Sequence, residues 1–296
     1  LLLASANPTG FALAGESYEK DFVQVADGVW SVCTAHHPGN LAAFPTHNNR
    51  CWVLRVRDTA DGDFLLVYGL PEEKVGAPKV RAIEKHTGLA VKYIMTSGCW
   101  HHLYLDHWLA SFPGVQFLFP KAKFPETRNG QAVLSDEAKA ARELLYDTED
   151  DMPVFGSAGK YTDQLRFVVG DQQTTYPDEG VLAGTADLVP PEKMGEVMAH
   201  MGQAKHTARF AATTLYHVAT KTASIDHNFD MFQPGETWDK QPEMLQNFHP
   251  RAKLQSGVMT GQTIIDPAKN AEQINRLLAL DVRCLVDLHT EPTYYV

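Results

Sequence analysis

His101-His102-Leu103-Tyr104-Leu105-Asp106-His107 is the stretch on which the reading of this chain turns. It follows Val91 to Met95, an apolar and β-branched run that predicts a strand, so the histidines stand just beyond a strand's C-terminal end. Open α/β layers usually carry their chemistry there. His102, Asp106 and His107 share one short predicted loop and combine imidazole with carboxylate, the donor mixture that zinc or iron accepts. A chain with 13 histidines offers chance clusters, so the surroundings decide what this one is worth.

Upstream, runs rich in valine, leucine and aromatic residues alternate with turn residues. They predict strands at 22–25, 29–33, 51–56 and 64–68, with Asp27-Gly28 and Asp61-Gly62 as turns. From Pro71 the apolar spacing becomes helical and continues to His86. A proline and acids stand in the first turn, and Thr87-Gly88 is the stop. Downstream, strands are expected at 115–119 and 165–169, with helices over 136–145 and 191–203. The strand pair 213–218 and 222–225 follows and leads to Asp226. An irregular stretch over 233–263 looks like an insertion on the substrate side. Asp266-Pro267 starts a last helix, and a strand over 282–288 delivers His289.

The loop and its sequels resemble the metallo-β-lactamase superfamily. The family signature reads His-x-His-x-Asp-His after a strand, and the corresponding positions here are His102, Tyr104, Asp106 and His107, with tyrosine in place of the second histidine. Family members continue with a Gly-His-Thr turn and a hairpin that ends in a metal-bridging Asp. Lys205-His206-Thr207 begins such a stretch, and Asp226 stands twenty residues after His206. The last family ligand is a histidine after a C-terminal strand, where His289 stands.

The resemblance implies an α/β fold of four layers, αββα, over residues 21–296, with 1–20 as an N-terminal extension. It implies metal ligands at His102, Asp106, His107, His206, Asp226 and His289, with Asp106 and Tyr104 as catalytic residues. The set for one metal, Asp106, His107 and His289 with Asp226 as possible bridge, is complete. The other set has a phenol, Tyr104, between His102 and His206, so one divalent ion is expected, zinc first and iron as the alternative. The Asp-x-Gly turn that many family members carry after the fourth strand is absent: the region reads Val67-Tyr68-Gly69-Leu70.

The net charge of −10 argues against a nucleic-acid or anionic-membrane surface, and a small-molecule substrate is expected. No apolar run is long enough for a membrane-spanning helix. Leu1-Leu2-Leu3-Ala4, and Ala12-Leu13-Ala14 before Gly15, resemble the end of an export signal. A soluble protein of the cytoplasm or an organelle is expected, with export as the alternative. Cys33, Cys51, Cys99 and Cys284 form no CxxC pair and read as reduced, mostly buried thiols. Gly156-Ser157-Ala158-Gly159-Lys160 lacks the spacing of a phosphate-binding loop.

Three functions fit these features. The first is a metal-dependent hydrolase of an ester, lactone, thioester or amide. The second is a non-haem iron oxidoreductase, suggested by Tyr104 in a ligand position. The third is a metal-free binding or structural protein that retains the fold, suggested by the lost histidine and the missing Asp-x-Gly turn. His101 and His217 read as structural, and Trp108 and Phe112 as core or pocket lining.

Overall fold

The computed structural model describes residues 21–35, 48–71, 73–96, 105–120, 127–128, 131–132, 143–146, 148–176, 206–225, 272, 275–277, 279–287 and 294–295. The described residues begin with four antiparallel strands: β1 (Val23–Ala26), β2 (Val29–Ala35), β3 (Asn48–Val56) and β4 (Phe64–Tyr68). Helix α1 (Glu73–Thr87) then crosses to β5 (Val91–Met95), which lies parallel to β4. A short helix α2 (Leu105–Ser111) precedes β6 (Gln116–Pro120). After a small β7–β8 ribbon (Thr127–Arg128, Gln131–Ala132) comes β9 (Glu143–Tyr146), also parallel. The first sheet is ordered β1-β2-β3-β4-β5-β6-β9.

The second sheet holds β10 (Leu165–Tyr176), β11 (His206–His217), β12 (Thr222–Ile225), β13 (Cys284–Asp287) and β14 (Tyr294–Tyr295), in that order. Its neighbours are antiparallel except for the parallel pair β12–β13.

Burial explains the layering. All five residues of β4 are buried, as a strand covered on both faces requires. In β3 the alternate residues Trp52 and Leu54 join Leu66, Met95, Leu165, Phe167 and Leu215 in a core between the two sheets. Val53, Leu65, Val67 and Ile94 point the other way, onto Val80 and Ile83 of α1, Trp108 of α2 and Phe112 just beyond it. On the far side of the second sheet, Tyr216 and Ala223 pack with Leu277 of the helical residues 275–277. The expected four layers, αββα, are therefore present.

Helix α1 ends as its sequence predicts. Gly88 adopts φ 71° and its amide closes on Glu84 O at 2.8 Å, a left-handed glycine cap. Gly76 lets α2 dock closely, since a β-carbon there would stand 3.1 Å from the Trp108 ring. Trp108 stacks on Phe112 and donates from Nε1 to Pro71 O at 2.8 Å. These aromatics are core, as expected.

Three expectations need correction. The stretch from Leu105 is helical and not loop, because Trp108, Leu109 and Phe112 recur at helical spacing and all bury against α1. The helix expected to reach residue 145 is replaced by strand β9 over Glu143–Tyr146, where pairing covers the open edge of β6. Residues 136–142 of that expected helix lie outside the described residues. Strands β10 and β11 run further than their apolar cores, because the polar run Gly170 to Tyr176 pairs rung for rung with His206 to Ala212. The expected helix over 191–203, the insertion over 233–263 and the extension 1–20 also lie outside the described residues.

Two polar clasps secure the end of the sandwich formed by the β3–β4 turn. Asp58 is buried and accepts from Lys160 Nζ at 2.8 Å and Tyr161 Oη at 2.7 Å, and these bonds hold its carboxyl far below the usual range. His217 closes β11 with Nδ1 2.9 Å from Thr220 Oγ1, and burial pushes its imidazole from 6.5 down to about 4. Folding thus favours the neutral ring, so its contribution is full above pH 6.5 and declines as pH falls toward 4. Urea titrations between about pH 7 and pH 4 should show His217→Gln losing up to about 3 kcal/mol less stability than the wild type. Equal losses in the two proteins would contradict this assignment.

Candidate functional site

The parallel strands β4, β5 and β6 end side by side, with Tyr68 paired to Met95 and Met95 to Leu118. From this edge the chain leaves β5 toward the histidine-rich stretch and re-enters the described residues at Leu105, the start of α2. Asp106 and His107 therefore have their main chain in the first turn of α2, while their side chains lie outside the described residues. His102 and Tyr104 lie wholly outside them, as do Asp226 and His289.

The strands that lead to those last two residues are described. Ile225, the residue before Asp226, pairs with Asp287, two residues before His289, across the parallel ladder β12–β13. Both strands point the same way, so the two positions follow neighbouring strand ends on one edge of the second sheet.

Two tyrosines show how that edge meets the first sheet. Tyr68, the last residue of β4, donates from its hydroxyl to the carbonyl of Thr213 on β11. Tyr146, the last residue of β9, has its hydroxyl 2.8 Å from Thr213 Oγ1. Both rings are fully buried, and burial raises the Tyr146 phenol well above its ordinary value, so it stays protonated. The β11–β12 register pairs Leu215 with Ser224, and Thr213 stands two residues before Leu215 on β11. The C-terminal ends of β4 and β9 are thus tied to the same residue of β11.

His206 opens β11 opposite Tyr176. It stands seven residues before Thr213, a run of about 24 Å in a straight strand. Among the described residues no three His, Cys, Asp or Glu side chains gather as a metal group, and no helix is long and apolar enough to cross a membrane.

The same edge of the first sheet carries buried cations. Arg50 and Cys33 are register partners on β3 and β2, with Arg50 Nη2 3.8 Å from Cys33 Sγ. Lys79 of α1 donates to Cys33 O at 3.2 Å, and desolvation lowers its ammonium pKa. Cys51, on the opposite face, is pushed strongly up by burial. Sequence reasoning missed Tyr68, Tyr146 and Thr213; the available signal was a tyrosine ending an otherwise apolar strand, since a buried phenol needs a partner.

No family model matches the chain, and no curated protein matches it. Solved structures do. A metallo-β-lactamase from Erythrobacter litoralis aligns with TM-score 0.48 and 14% identity, covering 93% of this chain and 86% of its own. One from Pontibacter korlensis aligns with TM-score 0.45 and 11% identity over 93% and 92%. A flavodiiron core from Synechocystis aligns with TM-score 0.44 and 10% identity, covering 92% of this chain and 56% of its own.

Cys33 and Cys51 are buried free thiols. Mass-spectrometric mapping after treatment with a thiol-alkylating reagent should leave both unlabelled in the native protein and label both in urea. Rapid native labelling at either position would refute the described packing.

Proposed function

We propose that this chain of metallo-β-lactamase-like fold is a divergent metal-dependent hydrolase of that superfamily, formed by one domain over residues 21–296. The ion is held by Asp106, His107 and His289, with Asp226 and His102 assisting. The observation that carries the reading is the ladder that pairs Ile225 with Asp287. It supports a site at which residues distant in sequence follow adjacent strand ends, beside the sheet edge from which the histidine-rich stretch departs. The donor set fits a divalent ion of zinc or iron type, because two imidazoles and a carboxylate are borderline ligands that leave a coordination position open.

Bound there, the ion would supply Lewis acidity toward a substrate oxygen and lower the pKa of a water. The protein's own groups do the rest. Asp106 accepts a hydrogen bond from the attacking water and orients it. Tyr104 donates to the carbonyl oxygen on which charge develops, a bond that strengthens as the reaction proceeds. The substrate class is a small-molecule ester, lactone, thioester or amide. His206, whose main chain opens β11 opposite Tyr176, is the further ligand that the resemblance implies.

Elemental analysis of the purified protein should find close to one divalent ion per chain. Asp106→Ala and His289→Ala should each lose both that ion and hydrolysis of an ester or lactone panel. Full turnover in metal-free protein would sink the proposal. Stoichiometric iron, with a colour lost in Tyr104→Phe, would move the chain to the oxidoreductase alternative.

A further inference from the structure

Helix α2 has seven residues, too few to hold a helical conformation without partners. Trp108 supplies the central one: it is fully buried and donates from Nε1 to Pro71 O at 2.8 Å. Pro71 belongs to the connection that leaves β4, and Gly69 N fastens that connection to the end of β5 by a bond to Met95 O at 2.9 Å. The histidine-rich stretch leaves β5 at Met95 and is back in α2 at Trp108, so both its ends are held to the same three residues, Gly69-Leu70-Pro71. At the far end of α2, Arg81 of α1 donates from Nη2 to Ser111 O at 2.6 Å and stands 4.1 Å from the centre of the Phe112 ring. Gly76 faces the first bond: a β-carbon there would meet Pro71 Cγ at 3.0 Å and Trp108 Cζ2 at 3.1 Å.

We propose that Trp108 is a positioning residue for the metal centre: its indole bond to Pro71 O sets the rotation of α2, and with it where the main chain of Asp106 and His107 stands against the ends of β4 and β5. The inference rests on the metal-centre reading above. A helix turns about 100° per residue, so a rotation fixed at Trp108 is fixed one and two residues earlier as well. Trp108, Leu109 and Phe112 mark the side that packs on α1. By the same register, positions 106 and 107 fall on the side away from α1, with exposed Ala110. Packing alone is non-directional and would let so short a helix roll. The indole bond is directional, and its acceptor is a main-chain carbonyl whose own segment is tied to β5.

The test uses metal-free protein and two readouts, amide hydrogen exchange over residues 105–111 and titration with Co2+ followed by its visible absorption. Trp108→Phe keeps an aromatic ring and removes the indole donor. It should speed exchange in α2 about ten-fold or more while β3 keeps its protection, and weaken Co2+ binding about ten-fold. Gly76→Ala serves if Trp108→Phe does not fold, because it drives a methyl group against both partners of the bond. It should act in the same direction although alanine is the better helix former. Tyr161→Phe removes a buried phenol bond on Asp58, in the core between the sheets and not against α2. That variant should lower the melting temperature and leave both readouts unchanged, which separates positioning from general stability. Co2+ binding weakened as much in Tyr161→Phe as in Trp108→Phe would overturn the positioning role. So would unchanged exchange and unchanged Co2+ binding in both α2 variants, and with loss of Co2+ in Asp106→Ala the metal reading would still stand. Unchanged Co2+ binding in Asp106→Ala and His289→Ala would overturn both.

Discussion

The hydroxyls of Tyr68 and Tyr146 cross from the first sheet to Thr213 of the second. Hydrophobic packing brings two sheets together, but it is non-directional and does not by itself set which strand ends face each other. A buried phenol left without an acceptor costs about 1–3 kcal/mol. Two phenols meeting one residue therefore resist sliding of either sheet along the other. Both tyrosines end strands whose C-termini line one edge, so this linkage also decides which loops stand together.

The opposite end is held by charge. Asp58 gathers Lys160 and Tyr161, and the Gln164 side chain accepts from Arg57 N at 2.8 Å and donates to Arg57 O at 2.9 Å. Further along, Arg276 pairs with Glu149 and donates to Val169 O at 2.7 Å, which fastens the last helical residues to β10. Val169 is the register partner of Thr213, so this ion pair stands at the level of the two tyrosines. The sandwich is thus clasped by the ion pair on Asp58 at one end, and at the other by the two hydroxyl bonds together with the Arg276–Glu149 pair.

Much of the fold was legible in the sequence because its strands are apolar on both faces and its turns carry glycine. The β3–β4 hairpin, α1 with its glycine cap, β5 and β12 fall where pattern reading expects them. What escaped was structure fixed by partners distant in sequence. Residues 143–146 become a strand because β6 offers an open edge, and residues 170–176 extend β10 because β11 runs beside them. The first turn of α2 was hidden because ligand-type residues and an apolar helical face occupy the same short stretch. The site was legible as a list of residues and spacings. The order of the strands that lead to it was not, since the pairing of Ile225 with Asp287 joins segments about sixty residues apart.

The central claim is that one ion sits at the shared edge of the two sheets, on ligands that follow β5, β12 and β13. An anomalous-scattering map of crystals of the native protein, recorded at the absorption edge of the metal found in it, tests this most directly. The account predicts a single strong peak bonded to Asp106, His107 and His289. A map without a peak at that edge, or with its peak on other residues, would contradict it.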